Sequence, residues 1–335
     1  MKVVAITGKK QCALIEKPEP NIQGDYCLVK IMSAPMCTEF HQYEDGVTSD
    51  DLGHEAAGEV VKIAQPSKVN VGDRVVVMPQ YPCGKCALCL DGDYIHCEHN
   101  VDPLEVCGSE TGIATYAQYC IKPAWLLIPI PEDMSYDHAA MACCGVGPAF
   151  GAMQNIQVTG FDTVLVTGLG PVGLGAVING VYRGARVIGV ASHTCRANLA
   201  RELGAIAVID RKDPDALKQV KDLTAGRGAD KALDCTGVPA GQRFAVDATR
   251  RKGRVAFVGW GGHIELGNMV PDGKILQGSW HWNLRDAPKI MQMIRDCHDL
   301  INKQITHSFP MIKVQDAWEL QLTRNCGKVL LKPWE

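Results

Sequence analysis

The chain has no excess of positive charge, no long uninterrupted apolar run and no low-complexity tract. Each absence removes a class of function. Its 335 residues carry 34 Lys and Arg against 37 Asp and Glu, a net charge of −3, so the electrostatic footprint of a nucleic-acid binder is missing. No cluster of Lys or Arg marks a basic arm or a membrane-surface helix. The segment Thr163–Tyr182 holds no charged residue, but Pro171 and several glycines interrupt it. That composition reads as a buried parallel strand feeding a packed helix, not as a membrane span. Near the N-terminus, Lys9, Lys10 and Glu16 fall where a signal peptide needs an unbroken apolar stretch, so the expected location is cytoplasmic. The expected partner is a small molecule, with no nucleic acid and no membrane.

Cysteine, by contrast, is plentiful: 15 residues, an odd number. In a reducing compartment these are thiols or metal ligands, not disulfides. Cys12, Cys27, Cys107, Cys120, Cys195, Cys235, Cys297 and Cys326 read as small apolar fillers. The other seven fall into patterns.

The length exceeds what one small core usually serves, which predicts two domains. To about residue 125 the chain is turn-rich, with β-like runs at Tyr26–Met32, Ala57–Ile63 and Arg74–Met78. This predicts a mostly β, barrel-like unit over 1–125, with a C-terminal return over 290–335. The remainder, 126–289, alternates strand and helix. Strand-like runs occur at Thr163–Thr167, Arg186–Ala191, Ile206–Ile209, Lys231–Asp234, Arg254–Gly259 and Ile275–Ser279. Helical periods fill Arg196–Leu203, Asp215–Leu223, Arg243–Arg250 and Ala287–Leu300. The pattern predicts an α/β fold with a doubly wound parallel sheet.

The segment VLVTGLGPVGLGAV puts Gly168, Gly170 and Gly173 after a strand and at the opening of a helix. Three glycines alone say little; the strand–turn–helix context makes them a dinucleotide site. Gly168 permits the tight turn, Gly170 admits a pyrophosphate to the backbone, and Gly173 lets helix and sheet approach. The helix opens at Pro171, and from Val172 onward its first turn presents unpaired N–H groups to the phosphates. An NAD site usually carries Asp or Glu at the end of the second strand, about 20 residues on. Here that strand ends at Ala191, followed by Ser192, His193 and Thr194. Ser192, His193 and Arg196 can donate to a 2′-phosphate, which favours NADP(H) over NAD, although an exposed Arg196 also suits a helix flank.

Cys83, Cys86, Cys89 and Cys97 form a C-x2-C-x2-C-x7-C pattern. Two-residue spacings let thiolates converge on one ion, and four thiolates make a closed structural zinc site. A second candidate set is dispersed: Cys37, His54, Glu55 and Cys144. Taken singly, each is more often core filler than ligand. Together, beside a dinucleotide fold, they suit a catalytic zinc with three protein ligands and an open position.

With these motifs in place, the sequence resembles the zinc-containing medium-chain dehydrogenase/reductase family, of the alcohol and polyol dehydrogenase type. The resemblance covers nearly the whole chain and rests on GHEAAGEVV, VGDRVVV, the four-cysteine loop, AAMACCGVG, VLVTGLGPVGLG and DCTG. It implies a GroES-like barrel domain, a Rossmann domain, and a homodimer or homotetramer formed through the nucleotide-binding domains. By position, Cys37, His54 and Cys144 would hold the catalytic zinc. Glu55 would stand beside the metal, as an exchanging ligand or as a partner of one. Thr38 and His41 would relay the substrate proton. The family pattern at the first ligand is Cys-x-Ser/Thr-Asp-x-His, whereas this chain reads Cys37-Thr38-Glu39-Phe40-His41. Either one residue is missing after Cys37, or Met36 holds the ligand register; a neutral thioether binds zinc poorly, which favours the deletion. Cys143 is a rival to Cys144, which the following Gly-x-Gly spacing favours.

The expected reaction is hydride transfer between a secondary alcohol and NAD(P), with two zinc ions per chain. Trp260, His263, Trp280, His281 and Trp282 lie at or beyond strand ends and suit a polyol, cyclitol or sugar alcohol, although Trp282 reads better as packing. Two rivals are a zinc-free-type alkene or quinone reductase and a non-catalytic zinc- and nucleotide-binding sensor; zinc content separates both from the dehydrogenase.

Overall fold

Short β-branched runs become strands where their apolar side chains find a buried face. The computed structural model describes residues 1–264, 267 and 269–335. In chain order the strands are β1 (Lys2–Gly8), β2 (Gln11–Glu16), β3 (Tyr26–Pro35), β4 (Ala56–Ile63), β5 (Arg74–Val77), β6 (Tyr119–Pro123), β7 (Leu127–Pro129), β8 (Thr163–Thr167), β9 (Arg186–Ala191), β10 (Ala207–Asp210), β11 (Ala229–Asp234), β12 (Thr249–Phe257), β13 (Ile275–Gly278), β14 (Ile305–Pro310) and β15 (Lys328–Lys332). They belong to two units. One comprises Met1–Cys144, Asn283–Asp296 and Ile305–Glu335; the other comprises Gly145–Trp282 and Cys297–Gln304.

The first unit is mostly β. Its sheet runs β14-β15-β3-β4-β5-β7, with β6 added on β3 and a separate β1–β2 hairpin. Val29, Ile31, Val60, Val75, Val77, Leu331 and Trp318 are all fully buried in its core. The C-terminal segment completes this sheet: β15 pairs antiparallel with β3 through Leu330↔Pro35 and Leu331↔Ala34. The junction expected at 125/126 lies instead at Cys144/Gly145. The reason is the helix Tyr136–Ala140, which buries Ala139 and Ala140 and packs on β3, β4 and β5.

The second unit is a doubly wound parallel sheet in the order β10-β9-β8-β11-β12-β13. Order reverses between β8 and β11, the point at which such sheets bind ligands. Leu165, Ile188, Ala232 and Val255 are fully buried on neighbouring strands. The helix expected over 243–250 starts earlier, at Pro239, and ends at Asp247, because Thr249 already belongs to β12. The helix-like stretch expected over 287–300 divides: Ala287–Asp296 stays with the first unit, and His298–Gln304 packs in the second, burying Ile301. Of the cysteines expected as filler, Cys195 is exposed and therefore not one; Cys12 and Cys235 are half-buried, and the other five are buried.

Two glycines of the turn after β8 are demanded by geometry. Gly168 adopts φ +82°, and a Cβ on Gly173 would stand 1.9 Å from the Gly168 carbonyl oxygen. Gly173→Ala is therefore expected to destabilise the protein by about 1–3 kcal/mol through forced backbone displacement. Thermal unfolding checks this, and an unchanged Tm overturns it.

Candidate metal and cofactor sites

Strand register gathers the dispersed donors at one end of the first unit's sheet. Cys37 follows the end of β3, and His54 and Glu55 immediately precede β4. These strands run antiparallel with Ser33 opposite Ala57, so the end of one meets the start of the other. β5 ends beside the start of β4, with Val77 opposite Ala56. There the Val77 carbonyl accepts from the Cys143 thiol at 3.4 Å, which leaves the next residue, Cys144, to face the other donors. One ligand atom from each of Cys37, His54, Glu55 and Cys144 lies within 4.8 Å of the others. Cys37 and Cys144 thus join the cluster. Met36 is instead buried in the core, its N–H donating to the Val329 carbonyl at 2.8 Å.

Three residues around this cluster were not assigned a role from sequence. Glu39 accepts from His54 Nδ1 at 2.8 Å, from the Tyr116 hydroxyl at 2.8 Å and from the Cys37 N–H at 3.2 Å. A carboxylate on Nδ1 fixes the imidazole with Nε2 directed at the thiols, where it lies 3.3 Å from Cys144 Sγ. Burial alone would raise the Glu39 carboxyl, but the hydrogen bond and charge of His54 bring it down to about 2. Lys328, fully buried, donates to Glu55 Oε1 at 2.7 Å. The other Glu55 oxygen accepts from the Cys144 N–H at 3.0 Å, and Glu55 Oε1 stands 3.9 Å from His54 Nε2. Burial pushes the Glu55 carboxyl up to about 7 against the pull of Lys328. The Cys37 thiol is held well below its usual range by a hydrogen bond from Cys144, with Lys328 and His54 adding to it. Glu39 had a signal in the sequence, an acid two residues after Cys37. Tyr116 and Lys328 had none, because only pairing across the sheet brings them here.

The donor set fits a divalent cation. Two half-buried thiols and two buried carboxylates face a single lysine and an imidazole, an imbalance of charge that an ion of charge +2 offsets. Soft sulfur with one imidazole nitrogen is the donor chemistry of zinc.

The four-cysteine loop makes a second cluster, and its members lie within the same 4.8 Å limit. Sγ–Sγ distances are 3.5 Å for Cys86–Cys89, 3.9 Å for Cys86–Cys97 and 3.6 Å for Cys83–Cys97. Tetrahedral zinc with about 2.3 Å bonds to sulfur separates its thiolates by about 3.8 Å, so the loop already has that shape. The Cys86 N–H donates to Cys83 Sγ at 3.4 Å, and the His99 N–H donates to Cys97 Sγ at 3.3 Å. Backbone donors, that of Lys85 foremost, pull the Cys83 thiol down to about 6. Asn283 anchors the loop, donating to the Asp91 carbonyl and to Asp93 Oδ1, each at 2.8 Å.

In the second unit, Gly168, Leu169 and Gly170 join β8 to the helix Pro171–Tyr182, with Pro171 and Val172 in its first turn. Asp234, buried at the end of β11, accepts from Thr167 Oγ1 at 2.8 Å, Thr236 Oγ1 at 2.6 Å and the Gly237 N–H at 3.1 Å. It thereby staples the DCTG loop against the glycine turn. Beyond Ala191, Ser192 and His193 are exposed. An Arg196 guanidinium nitrogen lies 3.9 Å from where a Cβ on Gly170 would sit. The Arg211 N–H donates to the Ala191 carbonyl at 2.9 Å, bringing a second arginine to the end of β9.

Thr38 and His41 are both exposed, the His41 ring tilted on Phe40 with centroids 4.1 Å apart. Among the described residues, no hydrogen bond joins the Thr38 hydroxyl to the His41 ring. Trp260 is 81% exposed and meets Trp280 edge-on at 5.1 Å. His263 is exposed, whereas His281 and Trp282 are buried.

Two substitutions test the carboxylates. Glu39→Gln keeps the shape but loses the charge on Nδ1; chelator competition is expected to show about 10–100-fold weaker metal retention at this cluster. Equal retention overturns the role given to Glu39. Lys328→Met strands the Glu55 carboxylate in the interior, and denaturant unfolding should show a loss of about 3–5 kcal/mol.

Comparison with known proteins agrees with this geometry. Residues 23–132 match the model of the alcohol dehydrogenase GroES-like domain, and residues 171–296 match that of the zinc-binding dehydrogenases. The chain is 32% identical to the uncharacterized zinc-type alcohol dehydrogenase-like protein YphC of Escherichia coli, over 99% of this chain and 98% of that one. It is 29% identical to a sorbitol dehydrogenase of Bacillus subtilis, over 99% and 97% of the two chains. The alcohol dehydrogenase of Thermus sp. ATN1 shares the fold, with a TM-score of 0.89 at 23% identity over 99% of both chains. The chain belongs to the zinc-type medium-chain alcohol and polyol dehydrogenases, NAD(P)-dependent oxidoreductases of the CH–OH group.

Proposed function

We propose that the chain oxidises a secondary alcohol, a polyol, cyclitol or sugar alcohol, and reduces the matching carbonyl compound, with two zinc ions per chain and with NADP preferred over NAD. The convergence of Cys37, His54 and Cys144 within 4.8 Å is the observation that carries this reading. Zinc bound there supplies Lewis acidity towards an alcohol oxygen, and the nicotinamide supplies the hydride acceptor. The protein's own part is positional. Cys37 and Cys144 bind as thiolates that offset the ion's charge, and His54 binds through Nε2 with Glu39 fixing its tautomer. Glu55 is held back by Lys328 as an exchanging ligand. Thr38 accepts the hydroxyl proton of the substrate and passes it towards His41 and solvent. Cys83, Cys86, Cys89 and Cys97 hold the structural ion.

The NADP preference rests on Ser192, His193 and Arg196, with Arg211 beside them, and on the absence of a carboxylate at Ala191. The turn Gly168–Gly173 with Pro171 and Val172 takes the pyrophosphate. Relatives named for sorbitol support the polyol class, as does the exposed Trp260 face. The protein is read as a cytoplasmic homodimer or homotetramer. β13 pairs with β12 alone among the described strands, and exposed Ile275 leaves that edge open to a second copy. Among the described residues, no helix is long and apolar enough to cross a membrane.

Metal analysis is expected to give about two zinc per chain, falling to about one in Cys89→Ser. A polyol panel run with both cofactors checks the substrate class; absence of turnover with two zinc bound overturns it. Ser192→Asp, placing an anion against the 2′-phosphate, is expected to move kcat/KM towards NAD by about tenfold or more.

A further inference from the structure

The two residues that follow Cys144 are fastened to the dinucleotide helix. Gln304 is fully buried, and its side-chain Nε2 donates to the Gly145 carbonyl at 2.9 Å and to the Pro171 carbonyl at 2.9 Å. Asn179, also fully buried, donates through Nδ2 to the Val146 carbonyl at 3.0 Å and to the Gly175 carbonyl at 2.9 Å. Between these ties the helix touches the segment directly, since a Cβ on Gly175 would stand 2.0 Å from the Gly145 oxygen. An amide removed from water costs stability unless its partners are in place. Gln304 has two such partners, one at the peptide after Cys144 and one at the first residue of the helix that receives the pyrophosphate.

We propose that Gln304 is a positioning residue that couples dinucleotide binding to the geometry of the Cys144 thiolate. The inference rests on the reading of Cys144 as a ligand of the catalytic zinc. One donor group shared by two carbonyls cannot follow one of them without straining its bond to the other. A displacement of the helix start on phosphate binding is therefore carried to Gly145, one peptide bond from the ligand. The glycine contact at 175 and the Asn179 bond leave that segment little freedom to absorb the shift. Coupling of this kind is reciprocal: metal at Cys144 also tightens the dinucleotide site.

The test uses the full chain with cobalt(II) exchanged only into the Cys37–His54–Cys144 cluster and zinc kept in the four-cysteine loop, so that the thiolate-to-metal charge-transfer absorption reports Cys37 and Cys144. Saturation with NADP, or with NAD if that binds tighter, is expected to shift this band in the native sequence. In Gln304→Leu, which keeps the volume and removes both donations, the band persists and its shift at saturation falls by about fivefold or more. A purely structural role would lower the Tm and leave the shift unchanged. An equal shift in Gln304→Leu, or no shift in the native sequence, overturns the coupling. If Gln304→Leu does not fold, as judged by circular dichroism, Asn179→Ala removes the Val146 tie together with the Gly175 and Arg183 bonds, leaves the Gln304 donations in place, and is read by the same band shift. Cys144→Ser separates the two levels: undiminished band intensity in that variant refutes the ligand reading itself.

Discussion

The contact between the Glu39 carboxylate and His54 Nδ1, 2.8 Å long, fixes how the imidazole stands among the donors gathered at the sheet end. It settles which imidazole nitrogen carries the proton, and so which one faces the two thiols. An imidazole in the other tautomer would turn an N–H towards Cys144 and could not bind a cation there. Glu39 also gathers the Tyr116 hydroxyl and the Cys37 N–H, so one buried carboxylate sets the position of two donors of the cluster together. On the far side, Lys328 does the same for Glu55, whose second oxygen reaches the backbone of Cys144. These acids are tolerated in the interior only because each has a fixed partner and because the donors between them suit a dication.

Such an arrangement is inexpensive to build at a sheet end. Register alone carries Cys37, His54 and Lys328 to the same place, since β3, β4 and β15 are neighbours with fixed pairings. The Val77 carbonyl at the end of β5 takes the Cys143 thiol, which is what turns Cys144 towards the cluster. The side chains therefore need little further ordering when a metal binds, and the ordering entropy was already spent in forming the sheet.

The parts of this molecule legible in the sequence are those whose signal is local. The turn after β8 is one, because φ > 0 at Gly168 and the close approach at Gly173 both demand glycine within six residues. The four-cysteine loop is another, as its cysteines lie along one short stretch of chain. β3, β4, β5 and the six parallel strands were visible from β-branched runs bounded by Gly and Pro, with ends displaced by a few residues. The hairpin β1–β2 was not, since β2 has no fully buried residue and its pattern is half-exposed throughout. The helix Tyr136–Ala140 is too short to show a period, and only its packing on β3–β5 places it in the first unit. Lys328 and Tyr116 were beyond reach for a different reason: nothing in a sequence distinguishes a buried lysine from a solvated one until its partner is known.

The segment Cys37–His41 shows how far a side chain can compensate for a missing residue. Relative to the family spacing, the backbone between Cys37 and the acid is one residue shorter, a loss of about 3.3 Å in extended chain. Glutamate in place of aspartate returns part of that reach, and its flexible torsions supply the rest. The carboxylate still meets both His54 and Tyr116 at 2.8 Å. His41 has no such remedy. Its place is set by the helix Phe40–Asp45 that begins straight after Glu39, and its N–H is already committed to the Thr38 carbonyl at 3.0 Å. The ring lies against Phe40, and the Thr38 hydroxyl is exposed. The shortened segment thus keeps Glu39 on His54 and Tyr116 and leaves the Thr38 hydroxyl and the His41 ring unjoined. A relay tolerates that exchange better than a ligand set does, because a water can bridge a gap in a chain of hydrogen bonds but cannot re-aim an imidazole.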